Sequence, residues 1–323
     1  MALPISDCGG EEKLIVILGP TATGKTLLAV SLAKALKTSI VSGDSMLVYR
    51  GFDVGSAKPD AQERGGVRHA LIDILEPTAS FNVTDFQRLA AEEIHEANAC
   101  GEIPILVGGT GLYLKALLEG YRFNQEPEDG KYRASLETLA KERGKAYVHE
   151  MLAQVDAEAA ARLHVNDFRR VVRALEVWHS GREKISREKE PDRLVYDACV
   201  FGLRCERGLL YRRIEERVDA MIASGLEAEV RRLLANGVPR DAQAMQGIGY
   251  KEMAAYIDGA LTLDEAVDEI KKATRHFAKR QITWYKKMPY IHWLDVDKSP
   301  FEVILEEAVE EIERHFNSNC KGR

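Results

Sequence analysis

Eight consecutive residues, Gly19-Pro20-Thr21-Ala22-Thr23-Gly24-Lys25-Thr26, combine small side chains with one cation and three hydroxyls. The spacing Gly-x-x-x-x-Gly-Lys-Thr fits the phosphate-loop pattern residue for residue. Its glycines let successive backbone N–H groups point inward at an anion, and the helix that follows presents its positive end. Lys25 is a point charge for phosphate, and Thr26 offers a hydroxyl for Mg²⁺, the expected metal. The motif alone does not name the ligand, for which a nucleoside triphosphate is the default. A second group, Asp44 and Ser45, lies just past an apolar run, where open α/β sheets bind ligands. A carboxylate there serves as general base or as an outer partner of magnesium, and capping of the next turn is the competing role. Arg213 and Arg217 lie four apart, on one helix face, where like charges repel by a few tenths of a kcal/mol. A bound phosphate removes that repulsion. Neighbouring Glu215 and Glu216 are the alternative partners.

The elements that must position these groups follow from the apolar pattern. Residues 14–18 read as a buried strand, 26–36 as a helix, and 39–45 as a strand ending in polar residues. Thr84 and Gln87 form a capping box that opens a helix to about residue 100. Residues 103–110 read as a strand and 111–118 as a helix. This alternation predicts an α/β fold, a P-loop NTPase-like parallel sheet flanked by helices. Residues 121–194 are charged and helical with no convincing strand, and a last helix runs from about 166 to 181. They read as an inserted all-helical lobe, which leaves 1–120 and 195–323 as the core. The sheet resumes at 198–205, followed by a helix over 208–223 and a loop containing Asn236, Gly237 and Pro239. Thr262 and Glu265 cap a long helix ending near residue 287. Residues 290–296 form a last strand, and Pro300 opens a closing helix. The first dozen residues read as a loose tail.

A net charge of −6 excludes a wholesale basic coat, so nucleic-acid contact needs a local patch. Residues 271–287 supply one, with seven Lys or Arg among seventeen residues and no acid. Lys272, Arg275, Lys279 and Lys286 recur at helical spacing, and Trp284 and Tyr285 add stacking surfaces, an arrangement suited to a folded RNA. The five cysteines are scattered and none forms C-x-x-C, so neither a zinc site nor a disulfide framework is indicated. The amino terminus lacks a secretory pattern, and no apolar run approaches the ~20 residues that span a bilayer. A cytoplasmic monomer without membrane contact is expected.

The stretches GPTATGKT, DSMLVYRGFDVGSAKP, ILVGGTGLYLKALLEG, LHVNDFRRVVRALEVW, QGIGYKE and KRQITWYKK occur in this order. Together they resemble the tRNA dimethylallyltransferases, or tRNA isopentenyltransferases, over about residues 13–296. The resemblance implies that the phosphate loop, Gly19 to Thr26, holds the diphosphate of dimethylallyl diphosphate rather than a nucleotide. The prenyl group would pass to N6 of the adenosine 3′ of a tRNA anticodon. It implies Asp44 as general base, Thr21 and Arg217 in handling the diphosphate, and Arg213 as a further contact. It implies tRNA contacts at Asp44, Ser45, Met46 and Leu47, at Thr110 and Arg133, and at Phe168, Arg169, Arg170, Val171, Val172 and Arg173. Further contacts would be Gln246, Gly247, Ile248, Gly249, Tyr250 and Lys251, with Lys279, Arg280, Gln281, Trp284 and Lys286 on the basic helix. The family often has glutamine where Leu47 stands, threonine at Ser56 and proline at Val165. No terminal zinc finger is expected. The alternatives are an adenylate isopentenyltransferase acting on free AMP or ADP, a small-molecule P-loop kinase, and a non-catalytic RNA-binding protein.

Overall fold

The computed structural model describes residues 11–121, 123, 130–181 and 193–318. Most of the expected amino-terminal tail, with Cys8, lies outside them, as does Cys320. The chain divides into two compact units, Met1–Tyr121 with Leu194–Arg323, and Arg122–Arg193.

The larger unit is built on β1 (Lys13–Leu18), whose residues 14 to 18 are all fully buried. Both faces of a parallel strand are covered, so it reads as an unbroken apolar run. Alternate side chains serve opposite layers. Ile15 and Ile17 enter one core with Leu28 and Leu32, whereas Leu14, Val16 and Leu18 enter the other with Phe86 and Leu114. After β1 come α1 (Lys25–Leu36), β2 (Ile40–Ser42), α2 (Ala61–Arg64), β3 (His69–Ala70), α3 (Val83–Ala99), β4 (Ile105–Gly108) and α4 (Gly111–Leu118). The smaller unit contributes α5 (Gly130–Arg143), α6 (Lys145–Val155), α7 (Ala157–Arg162) and α8 (Phe168–Gly181) around its own apolar cluster. The core then continues with β5 (Asp197–Arg204), α9 (Arg207–Ala223), α10 (Leu226–Ala235), α11 (Tyr250–Ile257), α12 (Leu263–Tyr285), β6 (His292–Asp295) and α13 (Phe301–Ser318).

All six strands are parallel, in the order β3-β2-β4-β1-β5-β6. The carboxyl ends of β1, β2 and β4 therefore lie side by side, and the loops that leave them meet. A Cβ on Gly108 would lie 2.4 Å from the Gly43 carbonyl oxygen, so only glycine allows the β2 and β4 loops to touch there. The core also closes on itself at the lobe's point of insertion. The Val195 amide donates to the Leu118 carbonyl at 2.9 Å.

Five features differ from the sequence reading. The box opening α3 is formed by Asn82 and Asp85, two residues earlier than expected. Asn82 Oδ1 accepts from the Thr84 and Asp85 amides, and Asp85 returns a bond to the Asn82 amide. Helices α10 and α11 stand where no regular element was expected, and so do the short α2 and β3. No helix among the described residues is long and apolar enough to cross a membrane.

Candidate active site

The phosphate loop joins β1 to α1 at the centre of the sheet's carboxyl edge. Ala22 (φ 63°) and Gly24 (φ 87°) adopt left-handed backbone one residue apart. Such alternation turns successive amides toward one concave point, an anion-binding nest. Gly24 is also the N-cap of α1, with no side-chain cap to compete for the first amides. Thr23 is buried and donates its hydroxyl to the Pro20 carbonyl at 2.8 Å, bracing the loop. Lys25 Nζ donates to the same carbonyl at 2.8 Å. Thr26, the next residue, is exposed.

Electrostatics bring Lys25, Arg217 and Asp44 together. Burial is the main cause that pulls the Lys25 ammonium down from its usual range to about 7; Arg217 repulsion adds to it, and Asp44 partly offsets both. Burial likewise lowers Arg217 on α9, against the attraction of Asp44 and Glu63. Two cations thus share a desolvated mouth with Asp44, while Glu63 acts on Arg217 alone. Arg213, one turn before Arg217, lines a cavity of about 360 Å³ with Ala22, Gly24, Leu27 and Phe301. Glu215 does not satisfy either arginine, because it accepts from Arg275 at 2.7 Å.

Asp44 follows β2. Its Oδ1 accepts from the Met46 amide at 2.8 Å, so the expected local turn is formed while the carboxylate's charge acts on Lys25 and Arg217. Ser45 donates its amide to Thr110 Oγ1 at 3.2 Å, which ties Thr110 of the β4 loop beside Asp44. Met46 is approached by Gly247, where a Cβ would lie 2.6 Å from the methionine methyl. The Gln246-to-Lys251 stretch therefore packs on the Asp44 loop through Gly247. Gln246 and Lys251 are exposed, Leu47 and Ile248 half-buried.

Several expected RNA contacts are placed elsewhere. Tyr250 is fully buried; its hydroxyl donates to Glu229 Oε1 at 2.8 Å and accepts from the Ser56 amide at 3.1 Å. Gln281 (3% exposed) and Tyr285 (0%) face inward, so neither can stack on or grip a surface ligand. The acid-free appearance of residues 271–287 is also incomplete. Lys271 pairs with Asp219, Arg275 with Glu215 and Lys272 with Glu269, acids supplied by α9 and by the preceding turn of α12. Among the described residues no ion pair reaches Lys279, Arg280, Lys286 or Lys287, all exposed. Trp284 is half-buried, its Cβ 3.0 Å from where a Gly111 side chain would begin.

Within the smaller unit, Arg169 and Arg170 are exposed at the start of α8, and Phe168 is half-buried beneath Lys145. Val171 and Val172 belong to that unit's core. Arg133 makes a bidentate pair with buried Glu176, both bonds 2.8 Å, and Arg173 lies 3.7 Å from the same carboxylate. The expected role of Val171 and Val172 as contacts gives way to packing, and that of Arg133 to an internal ion pair.

Sequence reading missed Glu229. This buried carboxylate accepts from the Asp53, Val54 and Gly55 amides (3.1, 2.9 and 3.2 Å) besides Tyr250, and so clamps the loop that continues from Asp44. The amphipathic pattern of residues 226–235 was the available signal for its helix.

The chain matches a family model described as IPP transferase over residues 47–288. It is 49% identical over 299 residues to a tRNA dimethylallyltransferase of Geobacillus thermodenitrificans, covering 92% of this chain and 95% of that one. It is 48% identical over 308 residues to one of Carboxydothermus hydrogenoformans, with coverages of 93% and 97%. The solved structure of the full-length tRNA isopentenylpyrophosphate transferase from Bacillus halodurans superposes with a TM-score of 0.72 at 42% identity, covering 96% of this chain and 99% of that one. A eukaryotic dimethylallyltransferase acting on tRNA gives a TM-score of 0.81 at 27% identity, covering 95% and 80%.

Proposed function

The chain belongs to the IPP transferase family, and from that premise we propose that it moves the dimethylallyl group of dimethylallyl diphosphate onto tRNA. The acceptor is N6 of the adenosine 3′-adjacent to the anticodon, and diphosphate is released. The observation that carries this reading is the Lys25, Arg217 and Asp44 constellation, two close cations at an amide nest with a carboxylate facing them. A diphosphate is attracted by the two cations, and its charge grows as the allylic C–O bond breaks, so the same groups stabilise departure.

In the transfer, N6 forms a bond to the prenyl carbon and the C–O electron pair leaves with the diphosphate. The proton lost from N6 goes to the Asp44 carboxylate. Nest amides, Lys25 and Arg217 hold the leaving group, and Thr21 contributes its hydroxyl to that hold. The exposed Thr26 hydroxyl would hold a Mg²⁺ brought by the diphosphate. The metal supplies further neutralisation of the diphosphate. Lys279, Arg280 and Lys286 provide the charge that holds the RNA backbone. The adenine must leave the anticodon-loop stack to reach Asp44, at a cost of a few kcal/mol.

The test supplies radiolabelled dimethylallyl diphosphate and Mg²⁺ with either an unmodified anticodon stem-loop or AMP. Label in the RNA is expected. Label in AMP instead, or ATP turnover without any prenyl transfer, overturns the proposal.

A further inference from the structure

Helix α12 carries two unlike faces near its end. Lys279, Arg280, Lys286 and Lys287 face solvent, while Gln281 and Tyr285, one turn apart, are buried with Ala278. A buried carboxamide must satisfy both its oxygen and its nitrogen. Gln281 Oε1 accepts from the Thr21 amide at 3.0 Å, and Nε2 donates to the Gly109 carbonyl at 2.8 Å. The partners fix the orientation, because Thr21 N–H can only donate and Gly109 C=O only accept. A flipped amide would set two donors and two acceptors against each other. The Tyr285 hydroxyl donates to the same Gly109 carbonyl at 2.9 Å and lies 3.4 Å from the Gly19 carbonyl. A Cβ on Gly109 would stand 2.5 Å from Gln281 Nε2, so glycine at 109 makes room for the contact.

These bonds join three segments far apart in sequence. Gln281 spans the start of the phosphate loop and the loop leading into Thr110, which itself accepts from Ser45 beside Asp44. The Thr21 amide is consumed by Gln281 and is not a donor to the anion. Its use fixes the backbone from which the Thr21 side chain projects. Resting on the prenyl-transfer reading above, we infer that Gln281 and Tyr285 are positioning residues that hold Thr21 and the Gly109–Thr110 loop in the register required for transfer, and that Gln281 is not an RNA contact.

Single-turnover transfer at saturating donor and stem-loop tests this, with RNA affinity followed separately by fluorescence anisotropy. Gln281→Met keeps the volume and removes both bonds. It should slow the step about 10- to 100-fold, the scale of a misplaced reacting group, and leave stem-loop affinity within about twofold. Introduced into Thr21→Ala, the same change should add little, because coupled residues are non-additive. A fully additive loss, or a weakened stem-loop with an intact rate, overturns the inference. Should Gln281→Met fail to fold, Tyr285→Phe removes only a hydroxyl, and an effect of about three- to tenfold with the same dependence on Thr21 is expected. Titration with Mg²⁺ and inorganic diphosphate gives a readout independent of prenyl transfer. Gln281→Met should bind about tenfold more weakly, and unchanged affinity counts against the positioning role even if the wild type labels no RNA.

Discussion

Arg217 presses its positive charge on Lys25, and the near anion that answers both is Asp44. Burial and Arg217 lower the Lys25 ammonium to about 7 in the unliganded protein, so it gives up its proton far more readily than an exposed lysine. A bound diphosphate favours the charged form, so binding takes up a proton. Affinity for Mg²⁺–diphosphate should fall by up to about tenfold per pH unit above 7, until the pKa of the bound state is reached. Calorimetry from pH 6.5 to 9 in buffers of different ionisation enthalpy measures both effects, and Lys25→Arg should flatten the profile. For folding the sign is opposite. Between about 7 and the ordinary 10.5 the unfolded chain holds the extra proton, so this group makes the unliganded fold more stable as pH rises.

Asp44→Asn isolates proton transfer from local structure. The amide oxygen still accepts from the Met46 N–H, so the turn survives while the basic oxygen is lost. Single-turnover prenyl transfer should drop by about 10²- to 10⁴-fold, with stem-loop affinity within about twofold. A near-normal rate would remove Asp44 from its role as base.

Charges on α12 divide into paired and unpaired sets, and salt dependence should tell them apart. Each of Lys279→Ala and Lys286→Ala should lower the slope of log affinity against log salt by roughly one. Lys272→Ala and Arg275→Ala should change it far less, because Glu269 and Glu215 already neutralise those cations. Anisotropy titrations between 50 and 200 mM salt, roughly the range over which such slopes are read, provide the comparison.

Glu229→Ala would leave three half-buried amides and the buried Tyr250 hydroxyl without their acceptor. A loss of about 3 kcal/mol or more is expected from denaturant unfolding. Glu229→Gln, which retains an acceptor oxygen, should lose less.

In the smaller unit, Arg133→Ala should destabilise the fold by about 3 kcal/mol, because buried Glu176 loses its bidentate partner. Thermal unfolding reads this directly. Stem-loop binding that weakens without any stability change would restore Arg133 as an RNA contact.

The strand, loop and helix around Gly19 to Thr26 were legible because their pattern lies in contiguous residues. The Thr262 and Glu265 box of α12 was legible for the same reason, a local pattern with a local partner. What escaped the sequence depends on tertiary neighbours. Glu229 meets Asp53, Val54 and Gly55 across more than 170 positions, and Gln281 meets Thr21 across 260. Counting charges within residues 271–287 could not reveal that α9 supplies Glu215 and Asp219 to them. Nor could the arginine-rich start of α8 show that Val171 and Val172 are its inward half. Asn82 outcompeted Thr84 as a cap because both patterns overlap, and the backbone there bonds the earlier one.

The bond from the Val195 amide to the Leu118 carbonyl brings the two severed edges of the core to one spot. The chain between them leaves the core and returns to it at that one place. Evolution can lengthen, trim or reshape such an insertion without restringing the sheet, and a short linker across the seam offers a way to make the larger unit alone.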